Sequence, residues 1–200
     1  SEENIMPLGA NKAAIMGVSG VSTADVVLLS SQTASGDSEL TFDSGIDSTY
    51  GVYIFKFYNI NPATDNVQFS FQANAAGASG YNETITSAAM RASHSEADST
   101  AWGYLTAQDQ AQGTAYQMLG DGWGNGSDES GAGELRLFNP SSTTYAKHFI
   151  STVVFYHSAD SAFVNYVSGY INTTTAIDDI NFKMSSGNFD GTIKMWGVKA

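Results

Sequence analysis

The chain carries three histidines, twenty aspartates and glutamates, and no cysteine. A thiol nucleophile, a disulfide and a thiolate metal site are therefore excluded. His148 and His157 stand nine residues apart in "HFISTVVFYH". That odd spacing sends them to opposite faces of one strand, away from a shared metal. His94 lies beside Ser93, Ser95 and Glu96, but the members of a catalytic triad converge from separate elements. A glycoside-cleaving pair needs two carboxyls roughly 5–10 Å apart. No pair is singled out here, and the neighbours Asp178 and Asp179 would point apart on a strand. The nucleophile-elbow, phosphate-loop, dinucleotide and zinc-protease signatures are all missing. The expectation is a protein that is not an enzyme and needs no cofactor.

Two binding chemistries remain. Hard oxygen ligands for calcium gather at 121–129, where Asp121, Asn125 and Asp128 are weak candidates. The stretch fails as an EF-hand, since Trp123 replaces the third ligand and Ala132 the closing glutamate. The second chemistry is aromatic. Trp102, Tyr104 and Trp123 sit in polar, Gly-rich sequence with Asp121 close by. A flat indole can stack on a sugar ring while a carboxylate grips its hydroxyls. The same tryptophans can instead be anchors folded back onto the body of the domain.

Something must position those residues, and the sequence predicts strands. "NVQFSFQA" (66–73), "IDDINFKMS" (177–185) and "ELTF" (39–42) alternate apolar with polar, the mark of half-buried antiparallel strands. Turn signals follow at "SGDS" (35–38), "NPATDN" (61–66), "NPSS" (139–142) and "SSGNFDG" (185–191). Convincing helix is scarce; "YNETITSAAMRASH" (81–94) reads equally as a short helix or a strand. About eight to ten strands without alternating helices predict an all-β fold. Its expected form is an antiparallel, jelly-roll-like β-sandwich over residues 25–200. Residues 1–24 read as an extended N-terminal arm, and 92–133 as one long insertion loop. The net charge of −12 argues against nucleic acid and anionic membrane as partners.

Other strands are apolar on both faces. In "YGVYIFKFYNI" (50–60), Tyr53, Phe55 and Phe57 alternate with Val52, Ile54 and Tyr58. "HFISTVVFYH" and "FVNYVSGYI" do the same with Val154, Tyr156, Tyr166 and Tyr170 on the second face. One core absorbs one face. Left open, the other would be a liability on a monomer. The expectation is that Val52, Ile54, Tyr58, Val154, Tyr156, Tyr166 and Tyr170 meet another copy of the chain, or a layer formed by the arm or the long loop.

Five segments, "MPLGANKAAIMGVSGVST", "SGIDSTYGVYIFKFYNINPATDNVQFSFQANAAGASGYNETITS", "DQAQGTAYQ", "GELRLFNPSSTTYAKHFIS" and "GYINTTTAIDDINFKMSSGNFDGTIKMWGVK", resemble virion structural, tail-fibre-like proteins of tailed phages that infect marine bacteria. The likeness runs in order over nearly the whole chain and is weakest at 92–107 and 155–165. It implies a jelly-roll-like domain on a virus particle, and Met6 as the family's usual start with "SEENI" ahead of it. It carries no active-site residues. A tail fibre, a receptor-binding tip or a head decoration is the implied role. The partners expected are the chain itself, as a homo-oligomer with a trimer foremost, other virion proteins, and a host surface glycan. The alternative is a carbohydrate-binding module working through loop aromatics.

Overall fold

The computed structural model describes residues 25–199; the expected arm at 1–24 lies outside them. All the described secondary structure is strand. In chain order these are β1 (Val26–Asp37), β2 (Glu39–Phe42), β3 (Val52–Pro62), β4 (Val67–Ala75), β5 (Ile85–Ser95), β6 (Thr100–Tyr104) and β7 (Ala111–Gly113). Then come β8 (Gln117–Trp123), β9 (Gly131–Phe138), β10 (Lys147–His157), β11 (Ser161–Ile171), β12 (Ile177–Met184) and β13 (Phe189–Val198). Segment 85–94 resolves as strand because its outward side chains Thr86, Ala88, Met90, Ala92 and His94 pair in register with β11.

The strands form two antiparallel layers of a nearly closed, barrel-like sandwich. The larger layer runs β1-β13-β3-β9-β10-β11-β5, with β6 and β7 on the far edge of β5. The smaller runs β2-β12-β4-β8. The layers join at two seams. At one, β8 meets β10 through His157 and Trp123. At the other the chain passes from β1 to β2 through Ser38, and Gln32 Nε2 donates to the Thr41 carbonyl at 2.6 Å. Taken in chain order, β1, β2, β3, β4, β8, β9, β12 and β13 change layer at every step except from β4 to β8, which both lie in the smaller. Strands β5–β7 and the hairpin β10–β11 are excursions that widen the larger sheet.

Aromatic rings fill the space between the layers. Phe42, Phe55, Phe57, Phe69, Phe71 and Phe182 are all buried. Their edge-to-face pairs include Phe57–Phe69 at 5.2 Å and Phe42–Phe55 at 5.4 Å. Such pairs add roughly 0.5–1.5 kcal/mol each beyond area burial. Tyr53, Phe55 and Phe57 point inward, as their alternation predicts.

The long loop expected at 92–133 is corrected: β6, β7, β8 and parts of β5 and β9 occupy it. Its glycines serve packing. Trp123 is buried and stacks on Phe155, ring centroids 4.5 Å apart and 3° from parallel. A Cβ at Gly120 would lie 2.6 Å from the indole nitrogen, and one at Gly131 would strike the same ring. Gly122 has φ +86°, and a Cβ there would strike His157. Low side-chain volume here reads as loop in a sequence and is the room a buried tryptophan needs.

Candidate interaction face

The outer face of the larger sheet collects the surplus apolar residues. Clean alternation on β3, β9, β10, β11, β5 and β6 sends the even-numbered side chains outward over most of their length. Register then lines them up in rows across the strands. One row runs Ala132, Val154, Val164, Ala92, Trp102 from β9 to β6. The next runs Lys194, Lys56, Glu134, Thr152, Tyr166, Met90, Tyr104 from β13 to β6. The third runs Leu28, Trp196, Ile54, Arg136, Ile150, Ser168, Ala88 from β1 to β5. Ten large hydrophobic residues are exposed among the described residues, and all but Tyr145 lie on this face.

The seven residues expected at an interface all project from it. Tyr58, Val154 and Tyr166 are exposed, while Val52, Ile54, Tyr156 and Tyr170 are half-buried. The face is shallowly grooved. One depression of about 560 Å³ lies between Lys56, Tyr58, Glu134, Val154 and Val164. A second, of about 520 Å³, lies on the other side of Val154 toward His94, Glu96 and Tyr156. The Tyr156 hydroxyl donates to Glu96 Oε1 at 2.9 Å and lies 3.3 Å from Asp160 Oδ1. The bond to Glu96 is the main reason its ionisation is pushed well above the usual range. Tyr104 is raised in the same sense by its 2.6 Å bond to Asp109.

The expected ligand site does not assemble. Trp102 is 68% exposed and Tyr104 53% exposed, both on the outward side of β6. Trp123 is 1% exposed and belongs to the core, so it has no face to offer a sugar. Asp121 sits half-buried on β8, in the smaller sheet. The aromatic signal in the sequence therefore mixed one surface tryptophan with one core tryptophan. The calcium candidates fare similarly. Asn125 Nδ2 donates to the Ala63 carbonyl at 3.3 Å, and Glu129 Oε2, not Asp128, accepts the Gly126 N–H at 2.7 Å to shape the turn. Among the described residues no group of three or more His, Asp or Glu side chains is arranged to hold a metal ion.

The three histidines have separate surroundings. His94 is exposed and 3.4 Å from Asp98. His148 faces Tyr170 at 6.2 Å. His157 is half-buried on the inner side, its Nδ1 accepting the Ala159 N–H at 3.0 Å.

Sequence reasoning missed several members of the face. Met90, Ile150, Arg136, Lys194 and Trp196 were not singled out. For Met90 the available signal is the alternation within "TSAAMRASH", which the helix–strand ambiguity hid. Comparison with protein-family models, with curated proteins and with solved structures gives no match.

Proposed function

We propose that this chain is a non-enzymatic structural protein of a virus particle that assembles with its own copies and attaches to other particle proteins. The observation that carries the reading is the outer face of the larger sheet. Its exposed apolar side chains stand in register over seven strands. At ~4.8 Å per strand those seven strands span about 29 Å, and eleven-residue strands run about 35 Å. The resulting footprint of about 1,000 Å² exceeds the ~800 Å² that a standard stable interface buries on each partner. The resemblance to tail-fibre-like virion proteins supplies the setting, on the particle surface or tail. The order in which β1, β2, β3, β4, β8, β9, β12 and β13 visit the two layers supports reading the fold as a jelly roll, a domain of viral capsids and lectins. The reading takes it as one.

Multi-angle light scattering on the purified chain tests the proposal. A concentration-stable oligomer that Val154→Asp converts to folded monomer is the expected result. A monomer at every concentration, with its tyrosines open to solvent, would remove the assembly half.

Trp102 and Tyr104 favour a second reading, recognition of a host surface glycan. They are adjacent, outward and strongly exposed on an edge strand. A glycan array with the native chain and Trp102→Ala distinguishes the two. Signal lost on substitution supports sugar binding, and no signal leaves the structural role.

A further inference from the structure

The outer face has two unlike halves. On β13, β3 and β9, Lys194, Lys56 and Arg136 surround Glu134. Within the three rows, three bases stand against one acid, so this stretch is positive in a chain whose net charge is −12, with Asp190 farther along β13. Glu134 is taken up by Arg136 and by Lys56 Nζ, the latter at 3.7 Å. Lys194 has no carboxylate partner among the described residues; its ammonium instead lies 5.5 Å from the centre of the Tyr58 ring. On β11, β5 and β6 the same three rows carry no charge. They offer Tyr166, Tyr104, Trp102 and Met90. Of the seven strands from β13 to β6 that carry the second row, β10 is the median, with three on each side; β1 adds one more strand beyond β13.

We infer that two copies pair face to face about a two-fold axis along β10, each laying its basic half on the aromatic half of the other. The inference rests on the assembly reading above and specifies its geometry. A two-fold axis parallel to the strands preserves the rows and exchanges the halves. Lys194 then meets Tyr104 of the second copy, Glu134 meets the Tyr166 hydroxyl, and Thr152 meets itself. Lys56 meets Met90 and Arg136 meets Ser168, while Lys194 over the Tyr104 ring forms a cation–π contact of the kind Lys194 already makes with Tyr58 within the chain. Pairing like halves would set three bases against three bases. A ring of copies would use half of each face per contact, about 500 Å² a side, below the ~800 Å² of a standard interface. Pairing across the axis covers the whole footprint and lays the three bases on uncharged residues rather than on each other.

The chain has no cysteine, so introduced thiols report geometry cleanly. Across two sheets about 10 Å apart, Thr152→Cys should cross-link to itself with a short bis-maleimide. Lys194→Cys and Tyr104→Cys chains should cross-link when mixed and refolded together, and neither should do so alone. Lys56→Glu with Lys194→Glu should weaken the dimer at least tenfold while the far-ultraviolet dichroism stays unchanged. Cross-linking of Lys194→Cys with itself, or a trimeric mass for the native chain, would overturn the two-fold arrangement and leave the assembly reading standing. A monomeric native chain would overturn both.

Discussion

The two sheets treat their outer faces in opposite ways. The smaller sheet's outer face is polar, and the chain covers it with its own loops. Gln72, in register with Asn181, is fully buried there. Its Nε2 lies 3.0, 3.3 and 3.1 Å from the carbonyls of Glu83, Thr114 and Ala115. Asn181 donates to Thr41 Oγ1 at 2.8 Å and accepts from the Tyr116 hydroxyl at 3.0 Å. Lys183 lies over the Tyr116 ring at 4.0 Å. The larger sheet's outer face is apolar, and Val154, Tyr166, Trp102 and Ile150 remain exposed. Hydrogen bonds specify one fixed cover, because a buried amide tolerates few arrangements. An apolar face tolerates any complementary surface, which suits a contact made between molecules.

Breaking each face should therefore have a different signature. Gln72→Leu removes the donor from three covered carbonyls, and buried acceptors left unpaired are costly. We expect a loss of roughly 3 kcal/mol in chemical denaturation, with the oligomeric state unchanged for whatever remains folded. Val154→Asp should do the reverse. The side chain is half exposed, so the folding stability should shift by under about 0.5 kcal/mol, while light scattering shows assembly lost. If Val154→Asp instead unfolds the chain, the face is structural and the contrast fails.

This contrast also marks how far the sequence could be read. Strand alternation placed Tyr53, Phe55 and Phe57 inside, and it put Val52, Ile54 and Tyr58 on a common second face, because a period of two is local and survives without knowledge of the fold. What was illegible depends on partners distant in sequence. Trp123 reads in sequence either as a sugar-stacking aromatic or as an anchor, and the choice of anchor is settled by Phe155, thirty-two residues on, which stacks on it. The glutamines of "QDQAQGTAYQ" (108–117) look like loop polarity. In the fold they bind the crossover between sheets: Gln117 Nε2 donates to the Gln108 carbonyl at 2.8 Å, and Asn165 Nδ2 to Gln108 Oε1 at 2.8 Å. The basic and aromatic halves of the outer face were invisible for the same reason, since Lys194, Lys56 and Tyr166 share a row only after β13, β3, β9, β10 and β11 align.

A milder change sharpens the account of the covered face. Tyr116→Phe keeps the ring under Lys183 and removes the hydroxyl that bonds Asn181. Burial is the main cause that pushes the Tyr116 hydroxyl up to about 12, in keeping with a proton held in the folded state. Loss of one such bond should cost about 1 kcal/mol. An unchanged denaturation midpoint would show that this hydroxyl adds nothing to the hold on the loops.

The smallest effect concerns the seam where the two sheets meet. His157 pairs with Trp123 there, packs 4.0 Å from Phe163, and fills the space that Gly122 leaves. Burial is the main cause that holds its imidazole below the usual value, and the Arg91 guanidinium adds to it, while Asp121 and Asp65 act the other way. The folded state therefore prefers neutral histidine. Above about pH 6.5, the unfolded value, both states are neutral and the group costs nothing. As the pH falls below that, the unfolded chain takes up the proton first, so stability declines until the folded value is passed. The thermal midpoint should thus drop modestly between pH 7.5 and pH 5, and His157→Gln should flatten that drop. Carboxylates titrate lower, and the difference between native and variant isolates the imidazole. An equal drop in both proteins would mean that the seam carries no proton-linked stability, and that the covered and open faces are joined by packing alone.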